Sequence, residues 1–227
     1  RAVAEFAPGV QQLLAALPGI LAGGYRSACI GTRDGYLQAG VPESLANRIA
    51  ALGAAIRAGW KTIANRQPAD PVAWLTALED AFFRYGRHDE FVTVNTGRIG
   101  VGERRLRYVS AGHPWPVLLD GGAHLLRPAV GPPLGVMARA SWSVSELDLE
   151  PGATVLLYTD GLIENDPVGR RAVDGERALL GHLEQIAPGT PLDLDDLLER
   201  FGPQGFNDDV AVLTISLASS HHQVGPG

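Results

Sequence analysis

The spacing of apolar residues changes near residue 90, and this change constrains the fold more than any other feature of the sequence. Between Pro42 and Tyr85 apolar residues recur every three or four positions, as they do in helices that bury one face. Because proline suits the first helical position, we predict one long helix opening at Pro42 and a second helix over Pro71–Tyr85. Beyond residue 90 the apolar residues form short runs between turn residues, which is typical of strands.

Tight turns join several of the predicted strands in the second half. The clearest is Asp120-Gly121-Gly122, a hairpin signal. Two further helices are predicted, at about Asp174–Ile186 and at Pro191–Phe201, where Thr190 and Asp193 have the spacing of a capping box. The predicted strands are Phe91–Ile99, Arg104–Ser110, Pro116–Leu119, Ala123–Leu126, Trp142–Leu149, Thr154–Tyr158 and Val210–Leu217.

The order of elements is helices, strands, helices, strand, which predicts an antiparallel α+β fold with helices on the outer faces of the sheets. The chain has 227 residues and a mass of 24.0 kDa, enough for one domain with a substantial core. We therefore expect a single domain over residues 1–218. The sequence from Ser219 to Gly227 is typical of a flexible C-terminal tail.

Composition argues against several classes of protein. The formal net charge of −6 does not suit binding of nucleic acid through phosphate contacts, and no apolar stretch reaches the roughly 20 residues of a membrane span. A single cysteine, Cys29, rules out a disulfide within the chain and a cysteine-rich zinc site. A reducing compartment fits best, so we expect a cytoplasmic protein that contacts neither membrane nor nucleic acid.

Carboxylates flank two of the predicted strands. Asp160 follows the apolar strand Thr154–Tyr158 and is itself followed by Gly161, while Asp208 and Asp209 come just before the last strand. The end of one strand and the start of its antiparallel neighbour meet at the same edge of a sheet, so Asp160 and Asp208 could converge. Carboxylate oxygens suit Mg²⁺ or Mn²⁺. From spacing alone, an Asp-Gly turn and an Asn-Asp-Asp loop remain the alternative interpretation.

Six short segments also resemble a known family, in the order in which that family has them. From Thr93 onward the chain is similar to the SpoIIE- and RsbU-like bacterial branch of the PPM metal-dependent serine/threonine protein phosphatases. The resemblance covers roughly the last 130 residues. The matching segments are Phe91–Thr93, Leu106–Pro114, Gly131–Val136, Leu149–Gly152, Leu156–Glu164 and Asp208–Leu213.

The resemblance implies a β-sandwich of two antiparallel sheets flanked by helix pairs, with two Mn²⁺ or Mg²⁺ ions between the sheets. A metal-bound water would attack phosphoserine or phosphothreonine without a covalent enzyme intermediate. By motif position, Asp160 and Asp208 would be the catalytic metal ligands, and Asp209 a neighbour. The Ala111–Pro114 segment is a structural turn in this branch, so we expect a structural role for His113, with general acid or base catalysis as the alternative.

The first half departs from the family pattern. The bridging metal ligand of the family is an aspartate shortly before the long helix, and ungapped alignment puts Tyr36 there, which cannot bridge two cations at neutral pH. The nearest carboxylate, Asp34, is either one metal ligand or part of an Asp-Gly turn. Without the bridge, the chain would hold fewer than two ions.

Three functions follow from these observations. The first is a metal-dependent phosphatase that acts on a phosphorylated regulatory protein, such as an anti-sigma factor antagonist. The second is a degenerate phosphatase domain that binds a regulatory protein with weak or no catalysis, favoured by Tyr36. The third is a metal-dependent hydrolase of small phosphoesters. The sequence sets neither the oligomeric state nor the identity of the phosphoprotein.

Overall fold

The described part of the chain contains four helices and seven strands. The computed structural model describes residues 43–66, 70–85, 91–100, 102–128, 131–164, 172–206 and 210–217. The helices are α1 (Glu43–Arg66), α2 (Pro71–Tyr85), α3 (Ala172–Leu183) and α4 (Leu194–Phe201). The strands are β1 (Val94–Gly100), β2 (Arg105–Ala111), β3 (Val117–Leu119), β4 (Ala123–Leu125), β5 (Ser145–Asp148), β6 (Thr154–Tyr158) and β7 (Val212–Ser216).

The strands form two antiparallel sheets. Sheet 1 has the order β1-β2-β5 and sheet 2 the order β4-β3-β6-β7. Their facing sides enclose one apolar core, which includes Leu106 and Tyr108 from β2, Leu118 from β3 and Val155 from β6. Side chains alternate between the faces of a strand, so the residues between these point the other way, toward the helices.

Each sheet carries a helix pair on its outer face. Helices α1 and α2 pack on sheet 1 through a core that includes Trp60, Trp74 and Val109. Helices α3 and α4 pack on sheet 2 through a second core that includes Leu156 and Leu197. The arrangement is four layers, helix–sheet–sheet–helix. This confirms the α+β class and the sandwich of two antiparallel sheets flanked by helix pairs.

Helix α2 and strand β6 have the predicted bounds. Trp60 is buried as expected: its indole Nε1 donates to Thr96 Oγ1 at 3.1 Å, and its ring meets Trp74 edge to face with centroids 6.0 Å apart. This hydrogen bond joins α1 to β1 and satisfies two polar groups inside the core.

Other predicted bounds were too generous. Strand β5 covers only Ser145–Asp148 of the predicted Trp142–Leu149, because the indole of Trp142 turns away to donate to the carbonyl of Pro132 at 3.0 Å. The capping box at Thr190 is wrong. Helix α4 is capped by Asp193, whose Oδ1 accepts from the amides of Asp195 and Asp196 at 2.9 and 3.3 Å.

Candidate functional site

Asp160 stands at the end of β6, the strand that lies between β3 and β7 in sheet 2. Strand β6 ends at Tyr158, and residues Asp160–Leu162 form a single 3₁₀ turn. The carbonyl of Asp160 accepts from the amides of Ile163 and Glu164 at 2.9 and 2.8 Å. Its Oδ1 accepts from the amide of Gly161 at 3.0 Å, and the residue is exposed. The backbone is thereby fixed while the carboxylate faces solvent.

Strand β7 begins beside this turn. Tyr158 pairs with Val212, and the pairing continues one residue further, where the amide of Thr159 donates to the carbonyl of Ala211 at 3.0 Å. The hydroxyl of Thr159 in turn accepts from the amide of Ala211 at 2.9 Å. The end of β6 and the start of β7 therefore meet at one edge of sheet 2, as the antiparallel argument predicted.

The other two predicted metal ligands lie outside the described residues. Asp34 precedes the first described residue, and Asp208 falls in the gap at 207–209, two residues before Val210. Their roles as ligands, and that of Asp160, stay predictions. Cys29, Tyr36, the tail after Leu217 and the boundary of the predicted domain at its N-terminal end also lie outside the described part.

The donors present at this edge fit a hard cation only in part. Asp160 offers one exposed carboxylate, and carboxylate oxygen is the donor that Mg²⁺ and Mn²⁺ prefer. Across the described ranges, no three His, Cys, Asp or Glu side chains come together in a group that could hold a metal ion. The described residues by themselves therefore form no complete metal site of these ligand types.

His113 lies close to Asp160, in the segment that leads from β2 in sheet 1 to β3 in sheet 2. Its Nδ1 is 2.9 Å from the hydroxyl of Thr93. Burial lowers the pKa of His113, while the charge of Asp160 and the backbone of Tyr158 act in the opposite direction. Burial is the larger effect, so the pKa of His113 lies below its ordinary value.

Polar groups next to His113 hold the same segment against sheet 1. Nδ2 of Asn95 donates to the carbonyl of Pro114 at 2.7 Å, and Oγ of Ser110 donates to the carbonyl of His113 at 3.2 Å. Asn95 and Ser110 are paired across β1 and β2. These contacts agree with the structural turn expected for Ala111–Pro114.

Sequence reasoning assigned no role to Thr93 or Asn95. Both belong to the stretch in which every second residue points toward sheet 2, and both are polar. Polar residues at alternate positions on a face that should be apolar are a signal that could have drawn attention to them.

The turn that carries Asp160 also contacts a helix. Helix α3 packs so closely on the turn after β6 that a Cβ built on Gly175 would stand 2.7 Å from the carbonyl carbon of Ile163. Only glycine permits this approach of two backbones. The turn that carries Asp160 thus lies between α3 on one side and the end of β7 on the other.

Comparison with known families gives one match that covers most of the chain. The family model described as stage II sporulation protein E (SpoIIE) matches residues 49–218. A second model, described as glutamate dehydrogenase, C-terminal, matches residues 1–76, which is less than half of the chain and shows no family. None of the helices in the described part combines the length and apolarity needed to cross a bilayer.

Individual relatives and structures agree with the first model. The phosphoserine phosphatase RsbP of Bacillus subtilis is 31% identical over 104 residues, which are 43% of this chain and 26% of RsbP. The crystal structure of the RsbU and RsbW domains of Rv1364c from Mycobacterium tuberculosis superposes with a TM-score of 0.65 and 27% identity, over 75% of this chain and 48% of that one. This chain therefore spans only part of either protein.

A third comparison concerns the fold alone. The structure of RsbX in complex with magnesium superposes with a TM-score of 0.52 and 16% identity, over 74% of this chain and 75% of that one. The four-layer architecture is thus shared with a protein crystallised with a divalent cation. With the SpoIIE model matching residues 49–218, the chain belongs to the SpoIIE- and RsbU-like family of PPM protein phosphatases.

Proposed function

We propose that this chain is a Mn²⁺- or Mg²⁺-dependent phosphatase that hydrolyses phosphoserine or phosphothreonine on a regulatory protein. The observation that carries the proposal is the exposed carboxylate of Asp160 at the end of β6, beside the start of β7. The similarity to RsbP, a phosphoserine phosphatase, supports the substrate class, and the magnesium complex of RsbX supports the kind of cation.

In this proposal, Asp160 and Asp208 would hold the cation, and Asp34 would be the candidate for a further ligand. When bound, the cation supplies a more acidic water and positive charge against the phosphoryl oxygens. The contribution of the protein is to hold the carboxylates in place. The hydrogen bonds of the Asp160 carbonyl to the amides of Ile163 and Glu164 fix the backbone from which the side chain extends.

The phosphoprotein partner is proposed to be a small regulator, such as an anti-sigma factor antagonist, dephosphorylated in the cytoplasm. The acidic balance of the chain, −6 overall, does not favour a nucleic acid as partner. We also propose that residues 1–218 form a single domain.

The test compares phosphate release by the wild type and by Asp160→Asn, with Mn²⁺ and a phosphoserine peptide. We expect activity that EDTA abolishes and that Asp160→Asn lacks. The matched control is Asp148→Asn. This exposed aspartate forms an ion pair with Arg105 at 2.7 Å, at the end of sheet 1 opposite to His113. Its loss should leave activity unchanged, because exposed ion pairs contribute little to the stability of the fold.

Two results would count against the proposal. Wild-type protein that releases no phosphate from the peptide or from p-nitrophenyl phosphate in Mn²⁺ would favour a degenerate domain that only binds its partner. Release from p-nitrophenyl phosphate but not from phosphopeptides would favour a hydrolase of small phosphoesters.

A further inference from the structure

An arginine and a tryptophan lie at the end of sheet 2 where Asp160 stands. Strand β3 is antiparallel to both β4 and β6, so the start of β3 meets the ends of β4 and β6 at this edge. Trp115 lies two residues before β3, and Arg127 lies two residues after β4. The pairing of these two chain segments continues past the strands, where the amide of Leu126 donates to the carbonyl of Pro116 at 2.8 Å. Arg127 and Trp115 therefore lie opposite each other on the same edge as Asp160.

The guanidinium of Arg127 is held by an aromatic ring. Its central carbon stands 5.3 Å from the centroid of the Trp115 ring, within the range of a cation–π interaction. Trp115 is half-buried, whereas Arg127 is exposed. The ring therefore restricts the arginine side chain, and less conformational entropy is lost when the guanidinium binds a further group.

This guanidinium has no ion-pair partner in the described part of the chain. There the ion pairs of arginine belong to Arg105, Arg107 and Arg177. Burial raises the pKa of Glu176 on α3, and the charge of Arg127 opposes that effect without forming an ion pair. A planar cation held in this way can bind a carboxylate or a phosphate through two parallel hydrogen bonds.

The distance from Asp160 favours a carboxylate of the substrate over its phosphoryl group. Strand β3 lies between β4 and β6, and neighbouring strands are about 4.8 Å apart, so β4 and β6 are roughly 10 Å apart. In the proposed function the phosphoryl group belongs beside Asp160, whereas Arg127 continues the line of β4. An extended peptide spans about 3.3 Å per residue, so a residue about three positions from the phosphoserine would reach Arg127.

We propose that Arg127, held by Trp115, is a specificity-determining residue that binds an acidic side chain of the phosphoprotein, a few residues from the phosphoserine or phosphothreonine. This inference rests on the proposed function, since it narrows the class of substrate. A cation at this edge also offsets the net charge of −6, which repels an acidic partner.

The test uses phosphoserine peptides in which a single aspartate is moved from four residues before the phosphoserine to four residues after it. Each is compared with the peptide that has asparagine at the same position. The readout is the ratio of the two kcat/KM values, because a general loss of folding or activity cancels in this ratio. We expect wild type to prefer aspartate by roughly 3- to 10-fold at positions about three residues from the phosphoserine.

Variants of both residues should change this preference in a defined way. Arg127→Gln should lose it, and Arg127→Glu should instead prefer lysine at the same peptide position. Trp115→Leu should reduce the preference by about 3-fold, because the guanidinium loses its aromatic partner, and Trp115→Phe should retain it. The matched control is Arg105→Gln, which removes the same charge at the start of β2, at the end of sheet 1 opposite to His113, and should keep the wild-type preference.

A second readout does not depend on catalysis. Fluorescence anisotropy with labelled phosphonate peptides, which cannot be hydrolysed, gives the Kd of each protein in the presence of Mn²⁺. The ratio of Kd values for the aspartate and asparagine peptides should depend on Arg127 in the same way as the kcat/KM ratio.

The outcomes separate this inference from the proposed function. A wild type without preference for aspartate at any position, or a preference that survives in Arg127→Gln, overturns the role of Arg127 and leaves the phosphatase standing. An equal loss in Arg127→Gln on every peptide and on p-nitrophenyl phosphate also overturns it, since Arg127 would then contact the phosphoryl group or support the fold. Discrimination between phosphonate peptides that depends on Arg127, in a wild type that releases no phosphate, would support the role of Arg127 and refute the phosphatase.

Discussion

Helix α3 contains two glycines that provide an internal comparison. Gly175 lies against the turn that follows Asp160, and a Cβ there would stand 2.7 Å from the carbonyl carbon of Ile163 and 2.9 Å from its Cβ. At Gly181, six residues later in the same helix, a Cβ would meet nothing within 4 Å. Alanine should therefore have the same effect on helix propensity at the two positions, but its added methyl group meets close neighbours only at position 175.

The magnitudes follow from these contacts. Alanine in place of glycine inside a helix stabilises it by about 0.5–1 kcal/mol, which should appear directly in Gly181→Ala. At Gly175 the same gain is offset by overpacking, which costs about 1–3 kcal/mol, and the atoms that must move are backbone atoms. Since propensity is common to both variants, their difference isolates the cost of the clash. We expect Gly175→Ala to be less stable than Gly181→Ala by about 1–3 kcal/mol.

The assay is urea denaturation of the two variants and the wild type, followed by circular dichroism at equal protein concentration. The difference should appear in the midpoint with little change in slope. Mn²⁺ affinity measured on the same samples should fall in Gly175→Ala, because the displaced turn carries Asp160, and should not change in Gly181→Ala. Two variants with equal stability, within about 0.5 kcal/mol, would refute the argument that α3 presses on this turn.

Two further predictions concern the layer of α1 and α2. Burial raises the pKa of Glu79, whose Oε2 accepts a hydrogen bond from the amide of Gly135 at 3.0 Å. The folded state therefore binds the proton of Glu79 more tightly than the unfolded state does. As the pH rises above the ordinary pKa of 4.5, the folded state loses stability. Urea midpoints at pH 5 and pH 8 should therefore show wild type losing stability relative to Glu79→Gln as the pH rises, and a constant difference between the two proteins would contradict this. Trp60→Phe removes the donor to Thr96 Oγ1, and the unpaired hydroxyl alone should destabilise the folded protein by about 1–3 kcal/mol. A double-mutant cycle with Thr96→Val that shows no coupling would refute the role of this bond.

The sequence predicted the bounds of an element correctly where a single residue or an unbroken apolar pattern sets them. Helix α2 begins at Pro71, as predicted, because proline fits the first helical turn and the apolar period is unbroken to Tyr85. Strand β6 has its predicted bounds because a continuous apolar run suits a strand with neighbours on both sides. The family followed from short ordered motifs, and these also pointed to Asp160.

Other boundaries depended on partners far away in the sequence. Trp142 continues the alternating pattern of β5, yet its indole bonds the carbonyl of Pro132 and the strand starts at Ser145. Thr190 has the spacing of a cap, yet Asp193 caps α4, because its carboxylate reaches two free amides of the first turn. Spacing identifies possible helix caps and strand ends, but contacts in the folded protein determine which of them form.

Four features could be predicted from the sequence alone: the class of fold, the order of elements, the family and the carboxylate at the end of β6. These follow from periodicity, turn chemistry and motifs, which are properties of neighbouring residues. The contact of His113 with the hydroxyl of Thr93, 20 residues away in the chain, could be recognised only in the folded structure. The same is true of the close approach of Gly175 to Ile163. Hydrogen bonds and backbone contacts between layers depend on how closely the layers pack, and no local sequence pattern specifies the distance between layers.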